Sequence, residues 1–76
     1  MSIIVAFDKS FQSAISNVEN INEDQSINWN FVESDIWVEL SRIWSNAEIN
    51  AMMEEEFTFA AAEQIQYMES MNGVTA

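Results

Sequence analysis

The residues of this chain best suited to chemistry are its carboxylates, and three of them are consecutive: Glu54, Glu55 and Glu56. Paired carboxylates can hydrolyse glycosidic bonds when a cleft separates their pKa values. On a helix, consecutive side chains point about 100° apart, so these three do not converge on one substrate atom. The pattern therefore favours a charged surface over a catalytic pair.

Other residue types that catalysis commonly uses are missing. The chain contains no histidine and no cysteine, which excludes Ser-His-Asp and Cys-His nucleophile systems and thiolate or imidazole metal sites. Its one glycine, Gly73, is too few for a phosphate-binding loop. We therefore expect a protein that is not an enzyme, with no catalytic residues, no metal and no cofactor.

One polar stretch has the spacing of a metal-binding loop. Oxygen-bearing side chains occupy positions 1, 3, 5, 7, 9 and 12 of a segment, namely Asn22, Asp24, Ser26, Asn28, Asn30 and Glu33. This segment resembles an EF-hand calcium loop. It departs from that pattern at position 6, where Ile27 replaces the glycine of the sharp turn, and at position 1, where Asn22 replaces aspartate. Because a β-branched residue is strained at positive φ, and polar loops produce such spacing by chance, we expect no metal here.

The charge balance is the strongest feature of the composition. The chain has thirteen acidic residues and only two basic ones, Lys9 and Arg42, which gives a formal net charge of −11 and a pI near 4.1. Affinity for nucleic acid comes largely from Lys and Arg, so we expect no direct nucleic-acid binding, and anionic membranes are disfavoured for the same reason. A basic protein partner would be attracted and steered. The alternative is that the charge only keeps a small protein soluble.

Apolar residues recur with helical periodicity, and proline is absent. The first stripe consists of Ile3, Ile4, Phe7, Phe11, Ala14, Ile15, Val18 and Ile21. A second stripe follows a polar loop and consists of Val32, Ile36, Leu40, Ile43 and Trp44. The sequence predicts an all-α fold, a small bundle of three or four helices, in a single acidic domain over residues 1–76.

The alternative is an α+β fold with short strands near residues 3–7 and 27–31. The apolar run in the first range suits a strand as well as a helix. In the second range, Ile27, Trp29 and Phe31 alternate with polar residues, which is typical of a strand. Asn30 followed by Glu33 indicates instead that a helix begins there. Both interpretations stay open.

A third helix is predicted over the acidic C-terminal part of the chain. Ser45 or Asn46 can cap its start, and Asn72 with Gly73 can end it as a left-handed C-cap. Unbroken, this helix extends roughly 40 Å, longer than so small a domain requires. It therefore either breaks near Thr58 or projects to pack on another chain.

Neither export nor membrane insertion is predicted. Residues 1–7 contain a short apolar run without a positively charged n-region, which is not a secretory signal. No apolar stretch approaches the roughly 20 residues of a membrane span. The expected location is the cytoplasm, and the host cytoplasm if the protein is encoded by a phage.

Carboxylates distributed along helices present negative potential at spacings comparable to those of a phosphate backbone. The predicted acidic face consists of Glu33, Asp35, Glu39, Glu48, Glu54, Glu55, Glu56, Glu63 and Glu69. In composition and size alone, the chain resembles the small acidic inhibitors that phages and mobile elements use against restriction, CRISPR or host DNA-handling enzymes. The resemblance implies a DNA-mimic-like inhibitor, of an anti-CRISPR or anti-restriction type, that occupies the basic nucleic-acid-binding surface of a partner protein.

The alternative function is helical self-association, as a structural or regulatory interaction module. Phe31, Val38, Phe59 and Ile65 fall off the apolar stripes of their helices. Exposed large apolar residues in a small protein often mark an interface, and methionines in the last helix suit an adaptable contact surface. A homodimeric bundle would bury these residues.

Overall fold

The structure, a computed structural model, describes the backbone of residues 2–75 and the side chains of residues 2–71. Its elements are helix α1 (Ile3–Ile15), a 3-10 turn (Val18–Asn20), helix α2 (Trp29–Leu40) and helix α3 (Asn46–Thr75). Within residues 2–75, β pairing is limited to one isolated antiparallel bridge between Ile21 and Ile27. The predicted helical bundle is confirmed, and the α+β alternative is wrong.

Capping side chains explain where the helices begin in the two ambiguous ranges. The Ser2 hydroxyl accepts a hydrogen bond from the Ile4 N–H at 3.2 Å and begins α1, so residues 3–7 are helical. In the second range Ile27 is paired with Ile21, the extended Asn28 is the N-cap whose side chain accepts from the Phe31 N–H at 3.3 Å, and the helix begins at Trp29. The N-cap predicted at Asn30 is therefore two residues late.

The core lies where α1 and α2 pack against the first half of α3. Its buried apolar side chains are Phe7, Phe11, Ala14, Ile27, Val32, Ile36, Leu40, Ile49, Met52, Met53 and Phe57. One aromatic side chain from each helix meets at a shared point, where Phe11 stacks on Trp29 with centroids 6.1 Å apart and meets Phe57 edge-on at 6.3 Å. Such pairs stabilise the contact by roughly 0.5–1.5 kcal/mol beyond the burial of their area.

A buried asparagine ties the 3-10 turn to both of its neighbouring helices. The Asn20 side-chain amide donates to the Ala14 carbonyl at 2.9 Å and to Asp35 Oδ2 at 2.8 Å. Its backbone carbonyl accepts from the Asn28 N–H at 2.7 Å. Because a buried amide without partners costs about 1–3 kcal/mol, these contacts fix how α2 lies on α1.

Helix α3 is one unbroken helix. Ser45 and Glu48 form a reciprocal capping box, in which Glu48 Oε1 accepts from the Ser45 N–H and the Glu48 N–H donates to Ser45 Oγ. Of the two alternatives for its length, the break near Thr58 does not occur; the helix also continues past Gly73, so the predicted C-cap there is wrong. A glycine permits a left-handed cap without enforcing one. Among the described residues, no helix is both long and apolar enough to cross a membrane.

Replacing Ile36 with alanine is expected to lower the free energy of unfolding by about 2–5 kcal/mol, because its side chain is fully buried and would leave a cavity. Val38, two residues later on the same helix, is exposed, so Val38→Ala should change that free energy by no more than about 0.5 kcal/mol. Urea denaturation followed by tryptophan fluorescence measures both variants. Equal losses would contradict this assignment of the core.

Candidate partner-binding surfaces

The acidic residues of α3 lie mostly on its outer side. Five of the six predicted there are exposed, namely Glu48, Glu54, Glu55, Glu63 and Glu69. Glu56 is half-buried, because it follows the buried Met52 and Met53 by four and three residues and so lies at the margin of the core. The series runs from Glu48 to Glu69, about 32 Å along the helix axis.

The three acidic residues predicted on α2 are exposed but do not share one side of the helix. Asp35 and Glu39 are four residues apart and lie together, whereas Glu33 and Asp35 point roughly 160° apart. Asp35 and Glu39 line an open groove of about 440 Å³ between α1 and α2, and Lys9 lines it as well. The predicted acidic residues are thus spread over several directions and do not form one face.

Two of the predicted acidic residues have contacts that hold the fold, whereas Glu54 accepts only an exposed hydrogen bond from the Asn50 side chain at 3.4 Å, within the same helix. Glu48 closes the capping box that begins α3. Asp35 accepts the hydrogen bond of the buried Asn20 amide. Substituting either residue would disturb the fold together with the surface charge, so tests of the surface should use other glutamates.

All four apolar side chains predicted to lie off the stripes are exposed: Phe31, Val38, Phe59 and Ile65. Phe31 and Val38 are seven residues apart, so they lie on the same side of α2, two turns from each other. Phe59 and Ile65 diverge by about 120° around α3, among the outward glutamates. The four therefore do not form one surface, because Phe31 and Val38 share a side of α2 whereas Phe59 and Ile65 lie on different sides of α3.

A further apolar surface lies at the distal end of α3. Tyr67, Met68 and Met71 continue the stripe that carries the buried residues, yet Tyr67 is 60% and Met71 56% exposed, while Met68 is half-buried. With Asp24, Gln25 and Ser26 they line an open groove of about 480 Å³. Helical periodicity places these methionines on the same side of α3 as the core residues, but it does not show how far the other helices extend beside α3. The predicted excess length of α3 was the signal available in the sequence.

The polar loop that resembles a calcium loop is a compact turn. Asp24 accepts from both the N–H and the hydroxyl of Ser26, and the Asn22 side chain donates to that hydroxyl. Positive φ occurs at Gln25, at 74°, while Ile27 is buried in the core. The likeness to an EF-hand therefore does not extend to the geometry of the turn. Among the described residues, no group of three or more His, Cys, Asp or Glu side chains is placed to hold a metal ion.

Comparison of the chain with protein-family models, with curated proteins and with solved structures finds no match. Its function must therefore be argued from its surfaces. Those surfaces combine exposed carboxylates with separate exposed apolar side chains, which is chemistry suited to binding.

Replacing Ser26 with alanine is expected to raise the pKa of Asp24 towards the ordinary value. The Ser26 hydroxyl, and after it the Ser26 backbone N–H, hold the pKa of this carboxyl below that value. A lowered pKa stabilises the fold above the ordinary carboxyl pKa, and this contribution is lost as the pH falls through the lowered value. An NMR pH titration of the Asp24 carboxyl carbon measures the change. In the control Ser34→Ala the Asp24 curve should be unchanged, and coincident curves for wild type and Ser26→Ala would contradict the assignment.

Proposed function

We propose that this protein is a non-catalytic inhibitor whose exposed carboxylates occupy the basic nucleic-acid-binding surface of a partner protein. One observation carries the proposal: the chain has thirteen acidic residues and two basic ones, and all members of the predicted acidic set except Glu56 are exposed. Neither histidine nor cysteine is present to support nucleophilic chemistry.

The charge density along α3 is of the order found in nucleic acid. Its six glutamates span about 32 Å, or roughly one charge per 5 Å, whereas one strand of duplex DNA carries a charge per about 3.4 Å. The series is several times longer than the screening length of about 8 Å at physiological salt, so a partner must meet it with several basic groups. A groove built to bind phosphates supplies such groups.

Helical self-association is the second candidate function, and one observation favours it. The distal part of α3 exposes the apolar side chains of Phe59, Ile65, Tyr67 and Met71. Two copies would bury them only by bringing together chains that each carry a net charge of −11. Like-charge repulsion opposes this association and weakens as salt is added. Sedimentation at several salt concentrations therefore distinguishes the candidates, because dimers should gain stability with salt while binding to a basic partner should lose it.

Replacing Glu54, Glu55 and Glu69 with glutamine is expected to weaken binding to a basic nucleic-acid-binding protein by about tenfold. Three exposed charges at about 0.5 kcal/mol each give a change of this size. Affinity should be measured at low and high salt against several basic DNA- and RNA-binding proteins. A basic protein of similar pI that lacks a nucleic-acid site should be included, and added DNA should compete with the inhibitor for the same surface.

The matched control replaces Asp8 with asparagine and Glu19 and Glu23 with glutamine. This variant has the same net charge as the first, but its exposed substitutions lie outside α2 and α3. It should retain most of the affinity. Equal losses in both variants, or equal binding to the protein without a nucleic-acid site, would show that net charge alone acts and would reject mimicry.

A further inference from the structure

Helix α3 extends well beyond the helices that cover it. Its 30 residues correspond to about 45 Å, which equals the longest dimension of the molecule, 45 Å, whereas α1 and α2 have 13 and 12 residues and extend about 20 Å. Among the side chains that the structure describes, which run to residue 71, Phe57 is the last buried one of α3. The part of α3 beyond Phe57 is therefore not covered along its whole length by α1 or α2.

The stripe that faces the core continues along this uncovered part. Counted at about 100° per residue, Ala60, Gln64, Tyr67, Met68 and Met71 share the side of α3 that carries Met53 and Phe57. Ala60 and Met68 are half-buried and pack against the edge of the core. Tyr67 and Met71 are left mostly open to solvent.

The turn over residues 22–26 forms the other wall of this surface. Asp24, Gln25 and Ser26 lie across from Tyr67, Met68 and Met71, and the six residues line the open groove of about 480 Å³. The turn is held closed by the hydrogen bond from the Asn22 N–H to the Ser26 carbonyl at 2.8 Å and by the bridge of Ile21 with Ile27. The groove therefore has a wall that is fixed to the core.

We infer that this groove, called here the distal groove, binds a basic amphipathic helix of the partner protein. The inference rests on the proposed function, because it takes the partner to be basic. The partner helix lies along the distal part of α3, with an apolar face against Tyr67 and Met71 and basic residues towards the neighbouring carboxylates.

Charge complementarity selects this occupant. Asp24 lines the groove on the turn side, and Glu63 lies one helical turn before Tyr67 on the α3 side. An apolar surface with acidic residues on both sides matches a helix with an apolar face and basic flanks. A second copy of this chain would place the same carboxylates opposite each other, and it carries only two basic residues in all.

The dimensions and side chains of the groove also suit a helix. The stripe on this side of α3 runs from Ala60 to Met71, about 16 Å or three helical turns, and the residues from Tyr67 to Met71 form its part in the groove. Methionine has three rotatable bonds and a polarisable sulfur, so Met68 and Met71 can adapt to apolar side chains of different shapes.

A synthetic peptide of about 18 residues tests this inference, because that length gives about five helical turns. It carries leucine and one phenylalanine on one helical face and lysine on the other, with a fluorescent label. A scrambled peptide of the same composition keeps the charge and lacks the apolar face. Fluorescence anisotropy at physiological salt should show the amphipathic peptide binding at least about tenfold more tightly than the scrambled one.

Two double variants then locate the site. Tyr67→Ser with Met71→Ser should remove most of the preference for the amphipathic peptide, and Tyr67→Phe should retain it. The matched control, Phe59→Ser with Ile65→Ser, removes two exposed apolar side chains from other sides of the same helix and should leave the preference unchanged. Far-UV circular dichroism checks that each variant keeps its helices.

Three results would overturn the inference. The first is that the scrambled peptide binds as tightly as the amphipathic one. The second is that the Phe59 and Ile65 variant loses as much preference as the Tyr67 and Met71 variant. The third is that sedimentation shows a dimer that depends on Tyr67. The first two would leave recognition of a basic nucleic-acid site standing. If the peptide preference is retained and basic proteins that lack a nucleic-acid site bind equally well, mimicry is rejected while the inference about the distal groove stands.

Discussion

The unequal length of the three helices governs the rest of this structure. Helices α1 and α2 reach along less than half of α3, so one small core must hold the whole fold. That core closes where Phe11, Trp29 and Phe57 meet, one from each helix. Beyond Phe57 the same helix passes out of the core. One continuous element is therefore both part of the core and an exposed surface.

Fold and charge are coupled through a few side chains. The Asp35 carboxylate accepts the hydrogen bond of the buried Asn20 amide, and Glu48 holds the start of α3 through Ser45. These two carboxylates act on the fold as well as on the potential of the surface. Most of the others, Glu54 and Glu69 among them, lie on exposed positions whose main physical effect is electrostatic.

Periodicity predicted the core well where the helices pack beside one another and poorly where no neighbouring helix covers the stripe. Val32, Ile36 and Leu40 were placed correctly, because a single helical turn separates each from the next. Val18 and Ile43 continue the same stripes in sequence, yet they are 79% and 69% exposed, since both lie just past the end of a helix. The start of α2 was predicted two residues late for a different reason, because several polar residues in one loop can each act as its N-cap.

Of the candidate surfaces, the exposure of single side chains was predictable. Their grouping was not, because it depends on how the helices pack.

Salt should act on this protein in two opposite ways. With a net charge of −11 on a chain of 76 residues, repulsion between carboxylates opposes the compact state, and screening relieves it. Attraction to the proposed basic partner would come from the same charges and would be weakened by the same screening. A basic partner can therefore stabilise the fold by neutralising the charges that it binds, so that binding and folding favour each other. Apolar contact along the distal part of α3 is much less sensitive to salt, and it would determine how much binding remains when the electrostatic attraction is screened.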